Sequence, residues 1–118
     1  MKISEIRDLL DAKVMTGEDA LEHDVASACC SDMMSDVLAY VKDQGILLTG
    51  LLNPQTVRTA QMMDMKCIVF VRGKRPDDAV ISLAENNGIV LLSTDYRLYT
   101  ACGILYANGL NSEEVDKV

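Results

Sequence analysis

Three short apolar runs recur along the chain at a spacing of 21 to 22 residues, and a helical pattern follows each. They are Ile46-Leu47-Leu48-Thr49-Gly50, Cys67-Ile68-Val69-Phe70-Val71-Arg72-Gly73 and Ile89-Val90-Leu91-Leu92-Ser93-Thr94. None alternates apolar with polar residues, so each reads as a strand covered on both faces. Strands joined by crossover helices run parallel, with right-handed connections. Three consecutive strand–helix units over residues 46–110 therefore predict an α/β fold, a small and mostly parallel sheet flanked by helices.

The helix boundaries carry their own chemistry. Asn53 followed by Pro54 reads as an N-cap and first helical residue. Pro76-Asp77-Asp78 places a proline and two carboxylates in a first turn, where the helix dipole favours negative charge. Asp95 reads as the cap of a helix beginning at Tyr96, and Gly88 and Gly109 read as stops. The stripes Val57, Ala60 and Met63 or Asp64, then Val80, Leu83 and Ala84, then Leu98, Ala101, Cys102 and Leu105, face the sheet.

The front section reads differently. Ile3, Ile6, Leu9 and Leu10 lie on one face of a short amphipathic helix, with Ser4 as its cap. Lys13 to Gly17 reads as a strand and turn, and Val25 to Cys30 as a second strand. Ser31-Asp32 opens a helix that runs to about Lys42, with Met33, Val37, Leu38 and Val41 on one face. Residues 1–44 hold four bases and ten acids, net −6, whereas residues 45–110 are net +1 and the tail is net −2. The reading is one domain over residues 1–110, an acidic front on a repeated core, with 111–118 an acidic flexible tail.

Composition excludes several functions. The whole chain is −7 and only 4% aromatic. Nucleic-acid binding draws on Lys, Arg and stacking aromatics, so no nucleic-acid partner is expected. The longest uncharged stretches, Gln44 to Val57 and Leu98 to Ser112, fall short of the ~20 apolar residues of a membrane span. The charged N-terminus carries no signal-peptide pattern, which makes the cytoplasm the expected location and no membrane the expectation.

Cys29, Cys30, Cys67 and Cys102 form no Cys-x-x-Cys, and His23, the one histidine, sits among acids in a solvated loop. The adjacent pair Cys29-Cys30 could ligate a metal or form a vicinal disulfide. The plainer reading is one buried thiol beside a half-buried one, with Cys67 and Cys102 in the core. No metal and no cofactor are expected. The adjacent pairs Met33-Met34 and Met62-Met63 are either core filling or an adaptable self-association surface.

In an open parallel sheet, ligands bind outside the carboxyl ends of the strands. The three strand ends supply Thr49, Gly50 and Asn53; Arg72, Gly73 and Lys74; and Ser93 and Thr94. With helix N-termini opening beside them, these eight residues are candidates for holding a small phosphate or carboxylate. The plainer reading of the same residues is ordinary loop and cap chemistry, and Asp77, Asp78 and Asp95 nearby argue against a strongly anion-selective pocket. Catalytic signatures are absent. Gly73-Lys74 is followed by Arg75, with Ile68 where a phosphate loop needs its first glycine, and there is no dinucleotide or nucleophile-elbow motif. No catalytic residue is assigned.

The stretches Ser31-Asp32-Met33-Met34-Ser35-Asp36-Val37-Leu38-Ala39, Leu48-Thr49-Gly50-Leu51-Leu52-Asn53-Pro54-Gln55, Val69-Phe70-Val71-Arg72-Gly73-Lys74-Arg75-Pro76 and Leu92-Ser93-Thr94-Asp95-Tyr96 resemble the DRTGG-domain family over about residues 1–110. The resemblance is to a stand-alone member. It implies a fold similar to the N-terminal domain of bacterial HPr kinase/phosphorylase. It also implies a regulatory or dimerising module, as found beside CBS domains and in multidomain phosphotransacetylases and pyrophosphatases. The family's Asp-Arg pair is replaced by Asn53-Pro54-Gln55, and only Gly73 remains of its Thr-Gly-Gly, so roles tied to those residues do not carry over. Without a phosphate loop, the chain is not expected to be a kinase of HPr by itself. The expectation is a non-enzymatic cytoplasmic regulatory or scaffold domain acting as a homodimer with an unidentified protein partner. The alternative is a sensor binding a nucleotide or phosphorylated metabolite at the strand-end rim. The Met33-Met34 segment or the outer face of the last helix, around Tyr99 and Tyr106, is expected to form the dimer contact.

Overall fold

A computed structural model describes residues 1–40 and 45–111. The order is α1 (Ile3–Leu9), β1 (Lys13–Thr16), a 3-10 turn at Glu18–Ala20, β2 (Ala28–Cys30), α2 (Met34–Tyr40), β3 (Ile46–Thr49), α3 (Pro54–Met62), β4 (Cys67–Phe70), α4 (Asp78–Asn86), β5 (Val90–Ser93) and α5 (Leu98–Ala107). The three apolar runs are β3, β4 and β5, each buried at every position. They pair in parallel, with Ile46, Cys67 and Val90 in one row. The front section adds β2, parallel to β3, and β1, antiparallel to β5. The sheet order is β1-β5-β4-β3-β2.

That order decides the layers. From β2 to β5 each strand is added on the same side of the one before. Right-handed crossovers then place α2, α3 and α4 together on one face. Met34, Val37, Val57, Ala60, Val80 and Ala84 pack there against Leu47, Ile68, Phe70 and Leu91. The opposite face is closed by the two ends of the chain. Ile3, Ile6 and Leu10 from α1 and Ala101 and Leu105 from α5 cover Ile46, Leu48, Cys67, Val69 and Leu92. Each continuous run is thus divided residue by residue between two cores, as strand alternation requires.

Several boundaries differ from expectation, each for a local reason. Ser4 does not cap α1; Lys2 holds that position, its N–H bonded to the Glu5 carboxylate at 3.0 Å. The Ile3 and Ser4 amides are already taken by the carbonyls of His23 and Leu21. Asp77 is the N-cap of α4: its side chain accepts from Val80 N–H at 3.0 Å, leaving Pro76 outside the first turn. Asp95 does not cap α5. The Tyr96 N–H goes to Thr94 Oγ1 and its carbonyl to Arg72 N–H, so the helix starts only at Leu98. Asn53 caps α3 as expected, accepting from Thr56 N–H at 3.2 Å, and Gly88 and Gly109 end their helices at positive φ. Val41, Lys42 and residues 112–118 lie outside the described residues.

The cysteines need a larger correction. Cys67 is buried and free, and Cys29 is half-buried and free. Cys30 and Cys102, however, are joined by a disulfide, with Cα atoms 6.8 Å apart across 72 residues of sequence. No spacing rule links them. They meet because α5 returns across the sheet and packs on β3, next to β2.

Candidate functional site

The carboxyl ends of β3, β4 and β5 form one rim, and Gly50 is its centre. Parallel register sets Cys30 opposite Leu48, which carries Asp32 to a place opposite Gly50. The Asp32 carboxylate accepts from Gly50 N–H at 2.7 Å and from Thr49 Oγ1 at 2.9 Å. From the other side Lys74 Nζ donates to the Gly50 carbonyl at 3.2 Å. The Arg72 guanidinium lies over the glycine itself: a Cβ there would stand 2.6 Å from Nη2. A side chain at this position would push the exposed guanidinium aside. The Gly50 N–H, followed by Thr49 Oγ1, Arg72 and Lys74, holds the Asp32 carboxyl below the usual carboxylate range, against a smaller opposing effect of burial.

Arg72 is exposed and adopts φ +63, the left-handed region that a side chain enters at a cost of ~1–2 kcal/mol. Two backbone bonds hold it there. Arg72 N–H donates to the Tyr96 carbonyl at 2.7 Å and Gly73 N–H to the Thr94 carbonyl at 2.8 Å. Gly73, at φ +68, leaves room for the Asp95 carboxylate, which would meet a Cβ at 3.0 Å. These bonds close the gap between the β4 and β5 loops. It is there that α4 and α5 leave for opposite faces, the position at which an open α/β sheet usually offers its crevice.

The eight candidates therefore divide. Thr49 serves Asp32 and the Leu51 amide. Asn53 caps α3. Ser93 Oγ donates to the Lys74 carbonyl at 2.7 Å, and buried Thr94 Oγ1 donates to the Leu10 carbonyl at 2.6 Å, tying the rim to the end of α1. Gly50 and Gly73 provide close approaches. Arg72, and Lys74 beyond its one bond, present cationic donors outward. Asp32 was not among the candidates, since Ser31-Asp32 reads as a helix start; the strand register that sets it against Gly50 was the missing signal.

Elsewhere, a cavity of about 270 Å³ lies behind the sheet, lined by Met1, Glu5, Asp8, Leu9 and Asn108, apart from the rim. Among the described residues, no group of His, Cys, Asp or Glu is arranged to hold a metal ion. No described helix is long and apolar enough to cross a membrane. The outer face of α5 is unusual. None of its ten residues is charged, Tyr99 is 91% and Tyr106 65% exposed, and a Cβ on Gly103 between them would meet no atom within 4 Å.

A five-stranded, mostly parallel sheet with three crossover helices on one face and two terminal helices on the other defines a small three-layer α/β module. The chain belongs to the DRTGG domain family, whose pattern matches residues 5–107. No curated protein sequence matches it. It is similar in fold to the CBS and DRTGG domains of the regulatory region of Clostridium perfringens pyrophosphatase, solved with its activator diadenosine tetraphosphate. The TM-score is 0.70 at 14% identity, over 98% of this chain and 52% of that one. The chain thus spans about half the length of that neighbour.

Proposed function

We propose that this chain is a non-catalytic regulatory or scaffold domain of the cytoplasm that acts by pairing with a second copy of itself through α5. The charge-free outer face of α5 carries this reading. A −7 chain leaves one surface helix without a charged residue while exposing two tyrosines on it. Tyrosines anchor interfaces well, because they bury large area at small entropic cost. Gly103 leaves a notch between them that a tyrosine of a two-fold partner can enter, which is how a self-complementary contact is built. Exposed Met33 lies just before α2 and is the secondary candidate. The rim hydroxyls are tied into structural bonds, which supports a non-catalytic role. Light scattering at tens of micromolar tests the reading: a dimer mass is expected, and a monomer overturns it.

A second reading rests on Arg72. Strained backbone conformations concentrate at functional sites, and Arg72 and Lys74 are cations set side by side at strand ends. The fold neighbour is a regulatory region that was complexed with a dinucleotide polyphosphate. The ligand in this reading is a nucleotide or phosphorylated metabolite held by those two side chains. A thermal-shift screen of nucleotides and inorganic phosphate tests it, since ligand at 100 times Kd stabilises by ~2.7 kcal/mol. No shift with any of them removes this reading and leaves self-association standing.

A further inference from the structure

We propose that Cys30 and Cys102 are a reversible thiol–disulfide pair, a redox latch that fastens the edge strand β2 to α5. The proposal stands independently of self-association and of any ligand at the rim.

The fold selects this pair from four cysteines. Cys29 and Cys30 are neighbours on β2, so their side chains point to opposite faces of the sheet. Cys29 packs with the layer of α2, α3 and α4. Cys30 points to the layer of α1 and α5, where Cys102 stands half-buried with its Cα 6.8 Å away. That separation is within reach of a disulfide. Cys29 is on the wrong side of the sheet for the same bond, and Cys67 lies at the centre of the back core.

Reactivity follows the same division. The thiolate is the attacking species. Burial pushes the Cys29 and Cys67 thiols up, which keeps both protonated. Cys30 is exposed on a three-residue edge strand and is the point of entry. The oxidant is a low-molecular-weight disulfide such as oxidised glutathione. The Cys30 thiolate attacks one of its sulfurs, forming a mixed disulfide and expelling one glutathione thiolate. The Cys102 thiolate then attacks the Cys30 sulfur, forming the Cys30–Cys102 bond and expelling the second glutathione. The two protein protons pass to the two glutathiones, and two electrons pass from protein to oxidant. Excess reduced glutathione runs the sequence backwards.

The latch has mechanical consequences. β2 is an edge strand, paired on one side to β3 and touched on the other by Asn111, whose carbonyl accepts from Ala28 N–H at 3.0 Å. Two residues beyond Cys30 is Asp32, the carboxylate on Gly50. The disulfide thus pins the strand that delivers Asp32 to the helix whose leading loop clamps Arg72. Closing a loop of 72 residues removes much entropy from the unfolded chain.

The full chain is equilibrated in glutathione buffers from fully reduced to fully oxidised, trapped with acid, denatured and alkylated. Mass spectrometry then counts free thiols and maps the bridge. The expected result is four alkylated cysteines in excess reduced glutathione and two, Cys29 and Cys67, in oxidised glutathione. The change should reverse when the buffer is exchanged, and Cys29→Ser should behave as wild type. Thermal unfolding should fall by about 10 °C on reduction, and Cys102→Ser should abolish that difference. The proposal is overturned if the bridge survives excess reduced glutathione, if four thiols persist in oxidised glutathione, or if the mapped partner of Cys102 is Cys29. The thiol count needs no variant, so a poorly folding Cys102→Ser leaves the test intact.

Discussion

Replacing Thr94 by valine separates the structural and ligand-binding interpretations of the rim. The Thr94 hydroxyl is buried, donates to the Leu10 carbonyl at 2.6 Å and accepts from Tyr96 N–H at 3.3 Å. The first bond joins residues 84 apart and fixes α1 to the end of β5. Valine keeps the shape and removes both bonds. A buried carbonyl deprived of its donor costs ~1–3 kcal/mol, and the longer Tyr96 bond adds little. The expected loss is about 2 kcal/mol. A chain of this length unfolds with an entropy near 0.25 kcal/mol per degree, so Tm should fall by about 8 °C. Thermal unfolding by circular dichroism measures it, and Thr94→Ser, which keeps the hydroxyl, should recover most of the loss. Binding of nucleotide or phosphate, where seen in wild type, should be unchanged by the valine. A Tm within about 2 °C of wild type, or loss of anion binding at unchanged Tm, would refute the assignment of this hydroxyl to α1.

Three further predictions concern other parts of the rim and core. Arg72→Gly should relieve ~1–2 kcal/mol of backbone strain and return part of it as unfolded-chain entropy, a net gain of about 0.5 kcal/mol by urea titration. Anion binding, if present, should weaken by ~1.5–3 kcal/mol in calorimetry, and a marked loss of stability would show that Arg72 is a structural residue instead. The folded Asp32 carboxyl titrates below its ordinary value, so its contribution is present above the unfolded pKa of about 3.9 and is lost as pH falls further. Asp32→Asn should therefore flatten acid unfolding below pH ~4, and identical acid limbs would contradict the Gly50 contact. Val69→Ala, in the centre of β4, should cost ~2–4 kcal/mol through the cavity it leaves, whereas Gln61→Ala on the exposed side of α3 should stay within about 0.5 kcal/mol.

The parallel core was legible because its strands are covered on both faces and its turns are chemically explicit. β3, β4 and β5 follow from continuous apolar runs, and Asn53-Pro54 sets the start of α3. The starts of α1 and α5 were less legible because distant partners decide them. Ser4 loses its capping role because the Ser4 and Ile3 amides donate to the Leu21 and His23 carbonyls, and Asp95 loses its own to a loop that pairs Arg72 with Tyr96. The rim shows the same limit. Which residues stand at strand ends is visible from the repeat, but whether a hydroxyl faces solvent is not. Ser93 and Thr94 look like phosphate ligands in sequence and are bonded to Lys74 and Leu10 in space. Asp32 and the Cys30–Cys102 bridge depend on the pairing of β2 with β3 and on the return of α5, neither of which has a local signature.

Gly103→Arg offers the most direct measurement of self-association through α5. The site is open, so the side chain enters solvent without displacing an atom within 4 Å of its Cβ. Replacing glycine inside a helix should raise monomer stability by roughly 0.5–1 kcal/mol, while a cation now fills the notch between Tyr99 and Tyr106. Sedimentation equilibrium of wild type and variant at tens of micromolar should give twice the 12.9 kDa chain mass for wild type and the single-chain mass for the variant, both folded by circular dichroism. A wild-type monomer, or a variant that remains dimeric, would contradict pairing through this face.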